Sequence, residues 1–188
     1  MADDRAPAFD FARDGWAASQ WFNSEAPPTL AGLKGKVVVL HTFQMLCPGC
    51  VAHGLPQAQK VHRLFPRAHV EVIGLHTVFE HHEAMVPIAL KAFIHENRLA
   101  FPIGVDVEDK ESFPIPRTMA HYKMRGTPSL LLFDREGHLR KHAFGQIDDM
   151  ARVVADRVSP DAFATQKLQA LNQYLFSELG YSGNVDNY

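Results

Sequence analysis

Cysteine is almost absent: the 188 residues contain two. That excludes a small secreted scaffold held by several disulfides. An excess of either charge is missing too, because 19 Lys and Arg stand against 21 Asp and Glu, for a net charge of −2. A nucleic-acid binder relying on bulk electrostatics is therefore not expected. No apolar run approaches the roughly 18 to 20 residues needed to cross a bilayer. The first ten residues, MADDRAPAFD, carry acids where a secretory leader would carry basic residues and then an apolar stretch. These absences lead to the expectation of a soluble, cytoplasmic protein with no membrane or nucleic-acid partner. Internal repeats, low-complexity tracts and the glycine patterns of dinucleotide or phosphate loops are also missing, so no cofactor is expected.

What is present is an ordinary globular composition, with 46% hydrophobic and 21% charged residues, sufficient for a real core. The two cysteines are adjacent in an unusual way, as Cys47-Pro48-Gly49-Cys50. Random placement would give that separation only about one time in a hundred. Closing so short a loop removes little chain entropy, and a reducing compartment would not keep a structural disulfide. Redox chemistry or metal binding remains.

The surrounding pattern is α/β. The first 30 residues are loosely organised, with Trp16, Trp21 and Phe22 as anchors and a short strand near 19–23. Val37–Phe43 is β-branched and apolar on both faces, as a buried central strand should be. After the cysteines, Val51, Leu55, Ala58, Val61, Leu64 and Phe65 recur at helical spacing, with a kink expected near Gly54–Pro56. A strand over 70–75, a helix over 83–98, a strand over 101–106 and a short helix over 118–124 follow. Residues 129–134 and 139–144 read as a hairpin around Glu136-Gly137. Helices are then predicted over 148–158 and 161–179. Together these give an α/β sandwich with a central mixed β-sheet flanked by helices. The domain division is 1–17, an N-terminal extension; 18–158, a redox domain; and 159–188, a C-terminal helical extension.

A cysteine between a buried strand and a helix start is placed for chemistry. Open backbone N–H groups and the positive end of the helix dipole favour thiolate over thiol at Cys47. Pro48 suits the first helical position because its missing donor costs nothing there. Cys50, almost one turn on, can reach back. Cys47 then attacks a substrate disulfide, and Cys50 resolves the mixed disulfide by attacking Cys47.

Strand, Cys-x-x-Cys and helix, with Gly126-Thr127-Pro128 later before an apolar strand, resemble the thioredoxin superfamily. The run from Leu30 to Leu40 is similar to its redoxin branch, which contains the TlpA-type and AhpC/TSA-type proteins. The resemblance covers residues 18–158, and within it the helix and strand near 83–106 resemble the insertion common in the TlpA-type branch. It implies a thiol–disulfide oxidoreductase in which Cys47 is the exposed nucleophile, Cys50 the resolving cysteine and Pro128 a cis-proline. It further implies that the backbone of Thr127 lies beside the disulfide and pairs with an extended substrate. Leu46, Pro48 and Gly49 complete the substrate-facing rim. The implied partners are a disulfide-containing protein or small molecule and a thiol system that donates electrons.

Three departures matter. Leu46 stands where many relatives have Trp, which implies a more apolar and less rigid rim. His41 occupies the strand position where thioredoxins have a buried aspartate. It is either a proton acceptor for Cys50 or a hydrogen-bonded core histidine. Pro48-Gly49 reverses the thioredoxin dipeptide, so the direction of exchange is open, with a cytosolic setting favouring reduction. Two rival chemistries and one non-enzymatic reading remain. A peroxidase of the AhpC/TSA type resembles Pro-x-x-x-Thr-x-x-Cys, but here Leu40 and Gln44 stand at those positions. A Cu or Zn carrier could use Cys47, Cys50 and His53, although no metal is expected and the stretch His76, His81, His82 reads as a solvated loop. An interaction module could use the apolar stripe over 161–179.

Overall fold

The structure is a computed structural model that describes residues 10–109 and 113–145. Six strands form one sheet: β1 (Ala18–Phe22), β2 (Val37–Phe43), β3 (Val70–His76), β4 (Ile103–Asp106), β5 (Ser129–Phe133) and β6 (Leu139–Phe144), in the order β1-β4-β3-β2-β5-β6. The central trio β2, β3 and β4 is parallel. The flanking pairings, β1 with β4, β5 with β2 and β6 with β5, are antiparallel. The α-helices are α1 (Phe11–Asp14), α2 (Leu55–Leu64), α3 (Pro87–Glu96) and α4 (Arg117–His121).

The sequence pattern accounts for the layers. Every residue of β2, β3 and β5 is buried, as expected for strands covered on both faces. Alternation then divides their side chains. Val37, Val39 and Phe43 pack with Val70 and Val72 beneath Leu55, Ala58, Leu90 and Ile94 of α2 and α3. Val38, Leu40, Ile73, Leu75 and Leu131 pack on the other side with Met119 of α4 and with Trp16. Residues 10–17 join this second layer. Trp16 is buried and donates its indole N–H to Pro28 O at 3.0 Å, and Ala17 N–H donates to Thr118 Oγ1 at 2.8 Å.

The expected elements lie close to those observed, with local differences. The helix expected over 83–98 begins only at Pro87, whose ring fits the first turn after an extended Val86. Met85 is buried but belongs to the preceding loop. The strand expected from Phe101 pairs only from Ile103, although Pro102 O still accepts from Gly74 N–H at 2.8 Å. The short helix expected over 118–124 is Arg117–His121. The predicted helices over 148–158 and 161–179, and the extension 159–188, lie outside the described residues. Among the described residues no helix is long and apolar enough to cross a membrane.

The topology gathers the chemistry at one end. The parallel strands deliver the loops after β2, β3 and β4 to the same edge of the sheet. Because β5 runs antiparallel to β2, with Ser129 opposite Thr42, the loop before β5 arrives there as well.

Candidate functional site

Cys47 closes the turn after β2. Its N–H donates to Gln44 O at 3.1 Å, and its own carbonyl accepts from Val51 N–H at 3.1 Å, the first bond of the following helix. Its sulfur accepts from Cys50 N–H at 3.3 Å. This is the geometry of a helix cap with sulfur as the acceptor. Cys47 is half-buried, Cys50 is buried, and both thiols are free. Pro48 is exposed on the first turn, and Leu46 is 56% exposed on the rim. Burial pushes the Cys50 thiol up to about 12, and the Cys47 sulfur pushes the same way. The Gln44 main chain and the Thr127 hydroxyl pull against them.

The helix does not run evenly into α2. Cys50–Gly54 forms a wide π-turn, closed by Leu55 N–H on Cys50 O. Pro56 explains the site of this irregularity. It has no N–H to offer Ala52, and its ring would press on that carbonyl in a regular helix. The kink expected there thus takes the form of a widened turn. Gly54 then lies directly over β2. A Cβ at this position would sit 2.6 Å from His41 Cε1, 2.9 Å from His41 Nε2 and 3.2 Å from Pro128 Cβ.

The Thr127–Pro128 peptide is cis. Thr127 O accepts from the Cys47 thiol at 3.6 Å. Gly49 also faces Pro128, with room for ordinary contact at 3.6 Å. Cys47, Cys50, Gly49, Thr127 and Pro128 are therefore assembled in one place by two segments 80 residues apart in sequence.

His41 is fully buried beneath the π-turn and stacks in parallel with Phe43 at 5.9 Å. Neither ring nitrogen makes a well-formed hydrogen bond. Burial drives its pKa down to about 4, tempered only by the nearby Ser129 main chain. The imidazole is thus neutral at ordinary pH.

Three residues near the cysteines have roles that sequence reasoning missed. Gln44 is only 1% exposed. Its Nε2 donates to Thr127 Oγ1 and to Glu80 Oε1, each at 3.3 Å, and its Oε1 accepts from Phe79 N–H at 3.3 Å. It ties together the loops after β2 and β3 and the loop before β5. His76 ends β3 and accepts Met45 N–H at Nε2, 3.3 Å, so it holds the turn that leads to Cys47. Burial likewise lowers its pKa to about 4. The reading of His76, His81 and His82 as one solvated loop is corrected here, since only His81 is exposed. His82 is half-buried, stacks on Phe113 at 5.3 Å and faces Glu108 at 3.2 Å. Glu80 is the third, an exposed carboxylate drawn to the site by Gln44. A glutamine ending an apolar strand was the only signal available for this set.

His53 is exposed on the π-turn, whereas Cys50 is buried. Among the described residues, the group that brings three metal-type ligand atoms within 4.8 Å of one another is Asp134, Glu136 and His138, in the β5–β6 turn. Neither cysteine belongs to it.

The AhpC/TSA family model matches residues 3–142. A transglutaminase-like superfamily model matches residues 141–188 only. No curated protein matches the chain. Among solved structures, a thioredoxin-like superfamily protein is 60% identical, covering 72% of this chain and 86% of that one, with a TM-score of 0.69. A thiol-disulfide isomerase from Corynebacterium glutamicum is 49% identical, covering 78% and 90%, with a TM-score of 0.68. A thioredoxin-like protein solved in its oxidised form is 18% identical, covers 86% and 95%, and has a TM-score of 0.61, which speaks to the fold alone.

Proposed function

The chain belongs to the AhpC/TSA family and is a thioredoxin-like redox enzyme, and from that premise we propose that it reduces disulfides through Cys47 and Cys50. The observation that carries the proposal is the Cys50 N–H directed at the half-open Cys47 sulfur at 3.3 Å, with the Thr127 carbonyl beside it. A sulfur that faces solvent and a backbone donor suits attack. A buried sulfur one turn on suits resolution. Cys47 attacks one sulfur of the substrate disulfide, releasing the other as a thiol. Cys50 then attacks Cys47, releasing the substrate and leaving a Cys47–Cys50 bond. Two electrons pass to the substrate, and a thiol-based donor returns them.

Thr127, Pro128, Leu46, Pro48 and Gly49 form the proposed docking edge for a disulfide-containing protein or small molecule. The apolar Leu46 side chain supports apolar flanks on that substrate. His41, neutral and beneath the turn carrying Cys50, is the candidate transient acceptor of the Cys50 proton. A reducing, cytoplasmic setting belongs to the proposal, since both cysteines lie in the motif and must be returned to thiols.

Peroxide reduction is the weaker reading. Gln44, at the position where such enzymes have a threonine facing the peroxide, has both side-chain hydrogens engaged by Thr127 and Glu80. The test is insulin reduction driven by a dithiol. Cys47→Ser should abolish the enzyme's contribution, whereas Cys50→Ser should accumulate a mixed disulfide. Normal turnover by Cys47→Ser would overturn the proposal.

A further inference from the structure

The geometry points to Glu80 as a specificity-determining residue: its carboxylate, tethered by Gln44 beside the Thr127 docking edge, selects disulfides that carry a positive charge next to the reacting sulfur. The inference rests on the dithiol reading above and extends it to the chemistry of the substrate.

An exposed glutamate ordinarily samples many rotamers, and fixing one costs entropy. Glu80 is exposed yet held at two points by one side chain. Gln44 Nε2 donates to its Oε1 at 3.3 Å, and Gln44 Oε1 accepts the N–H of the preceding residue, Phe79, at 3.3 Å. The second hydrogen of Nε2 goes to Thr127 Oγ1, also at 3.3 Å. A single amide nitrogen therefore bridges the Glu80 carboxylate and the residue whose carbonyl accepts the Cys47 thiol at 3.6 Å. Reversing the amide would turn its oxygen toward the carboxylate and its hydrogens toward Phe79 N–H, so the tether has one sense. Gln44 is 1% exposed, and water does not compete for these bonds.

The charge itself is left open. Two other acids of this edge are answered within the protein, Glu108 by His82 at 3.2 Å and Asp109 by Arg117 at 3.5 Å. Glu80 has a neutral amide for its partner, which orients the carboxylate and cancels none of its charge. Arg125, in the loop before β5, lies over the Phe144 ring at 5.5 Å, toward β6 and so across β2 and β5 from the loop after β3. A carboxylate fixed in advance loses little entropy when a cation docks, and it repels an anion. Attack then follows the exchange above. The Cys47 thiolate bonds to one substrate sulfur, the substrate disulfide breaks, and the departing sulfur takes the electron pair and a solvent proton.

The test mixes the reduced full chain with three disulfides of matched length: cationic cystamine, neutral hydroxyethyl disulfide and anionic dithiodipropionate. At low disulfide concentration attack by Cys47 limits, and loss of free thiol, counted by mass after acid quench and alkylation, gives its rate. Each charged rate is divided by the neutral one, so a general change at the sulfur cancels. Glu80→Gln keeps an oxygen for Gln44 and removes the charge. It should lower the cystamine ratio about three- to fivefold, the size of one partly screened charge pair, and raise the dithiodipropionate ratio by a similar factor. Added salt should weaken the wild-type preference in the same direction. Gln44→Met keeps the carboxylate but frees it, and should lower the cystamine ratio part of the way. Glu83→Gln, exposed in the same loop but without the tether, should do less than Glu80→Gln. Unchanged ratios in Glu80→Gln, or an equal loss in Glu83→Gln, would overturn the inference while leaving the dithiol reading intact. Undiminished reaction of Cys47→Ser would instead overturn the dithiol reading, and this inference with it.

Discussion

Two turns end buried strands at opposite ends of the sheet, and they use polar atoms in opposite ways. After β5, Asp134 accepts from Glu136 N–H at 3.0 Å, from His138 N–H at 2.8 Å and from the Arg140 guanidinium. Burial pushes its carboxyl up, but these bonds outweigh it and hold the group below the usual carboxylate range. After β2, Cys47 has one N–H on its sulfur and an open side. A saturated acceptor fixes a charge and locks a turn. An under-bonded one keeps its lone pairs available for bond formation. The same contrast explains why Asp134, Glu136 and His138 read as a hairpin lock despite their metal-like spacing.

The sharpest way to break this comparison is at Gly54, where the reactive turn is packed from below. Gly54→Ala would drive a methyl group into the His41 ring and toward Pro128. Overpacking of this kind costs about 2–3 kcal/mol, and the displaced π-turn should slow thiol exchange as well. Adding His41→Ala should recover part of both, because the ring is what the methyl meets. Urea unfolding and insulin reduction of the two variants provide the check. A harmless Gly54→Ala would mean that the turn is not seated on His41.

The other turn should respond differently. Asp134→Ala leaves two N–H groups and a guanidinium without their acceptor, a loss of about 2 kcal/mol. Exchange rates per folded molecule should stay at the wild-type value, since the change is made at the far end of the sheet. The wild-type carboxylate's contribution is full above the unfolded value near 4 and fades as pH falls through its lower folded value. Urea midpoints against pH for both proteins should converge in acid. A fall in exchange rate would show that the two ends are coupled.

Much of the architecture was readable from local chemistry. Val37–Phe43 is apolar on both faces, so its place in the centre of the sheet followed from its own residues. Cys47 and Cys50 announced themselves by spacing. The supports around them did not. Gln44 finds Phe79, Glu80 and Thr127 at separations of 35 to 83 residues, and His76 finds Met45 across 31. Such pairings depend on which loops the sheet order brings to one edge, and no local pattern encodes them. Met85 fails for a related reason. An apolar residue at helical spacing is buried whether it sits in the helix or in the loop before it, so periodicity placed the start of α3 too early.

The smallest effect concerns the two buried histidines, which face each other through Phe43. His76 holds a backbone N–H, whereas His41 has no well-formed bond and serves as packing or as a transient base. Both have folded pKa values of about 4, below the unfolded value of 6.5. Between those limits the unfolded chain binds more protons, so stability is full above pH 6.5 and declines as pH falls toward 4. His41→Phe should remove one of these two contributions, for a difference of about 1 kcal/mol at pH 6, with a shallower decline below. At pH 8 the two proteins differ only by the packing of the larger ring against Gly54, so the pH-dependent part is read as the change between pH 8 and pH 6. Urea midpoints at half-unit intervals resolve this. Parallel profiles would mean that His41 is not buried as a neutral ring, and the underside of the reactive turn would then be wetter than its packing indicates.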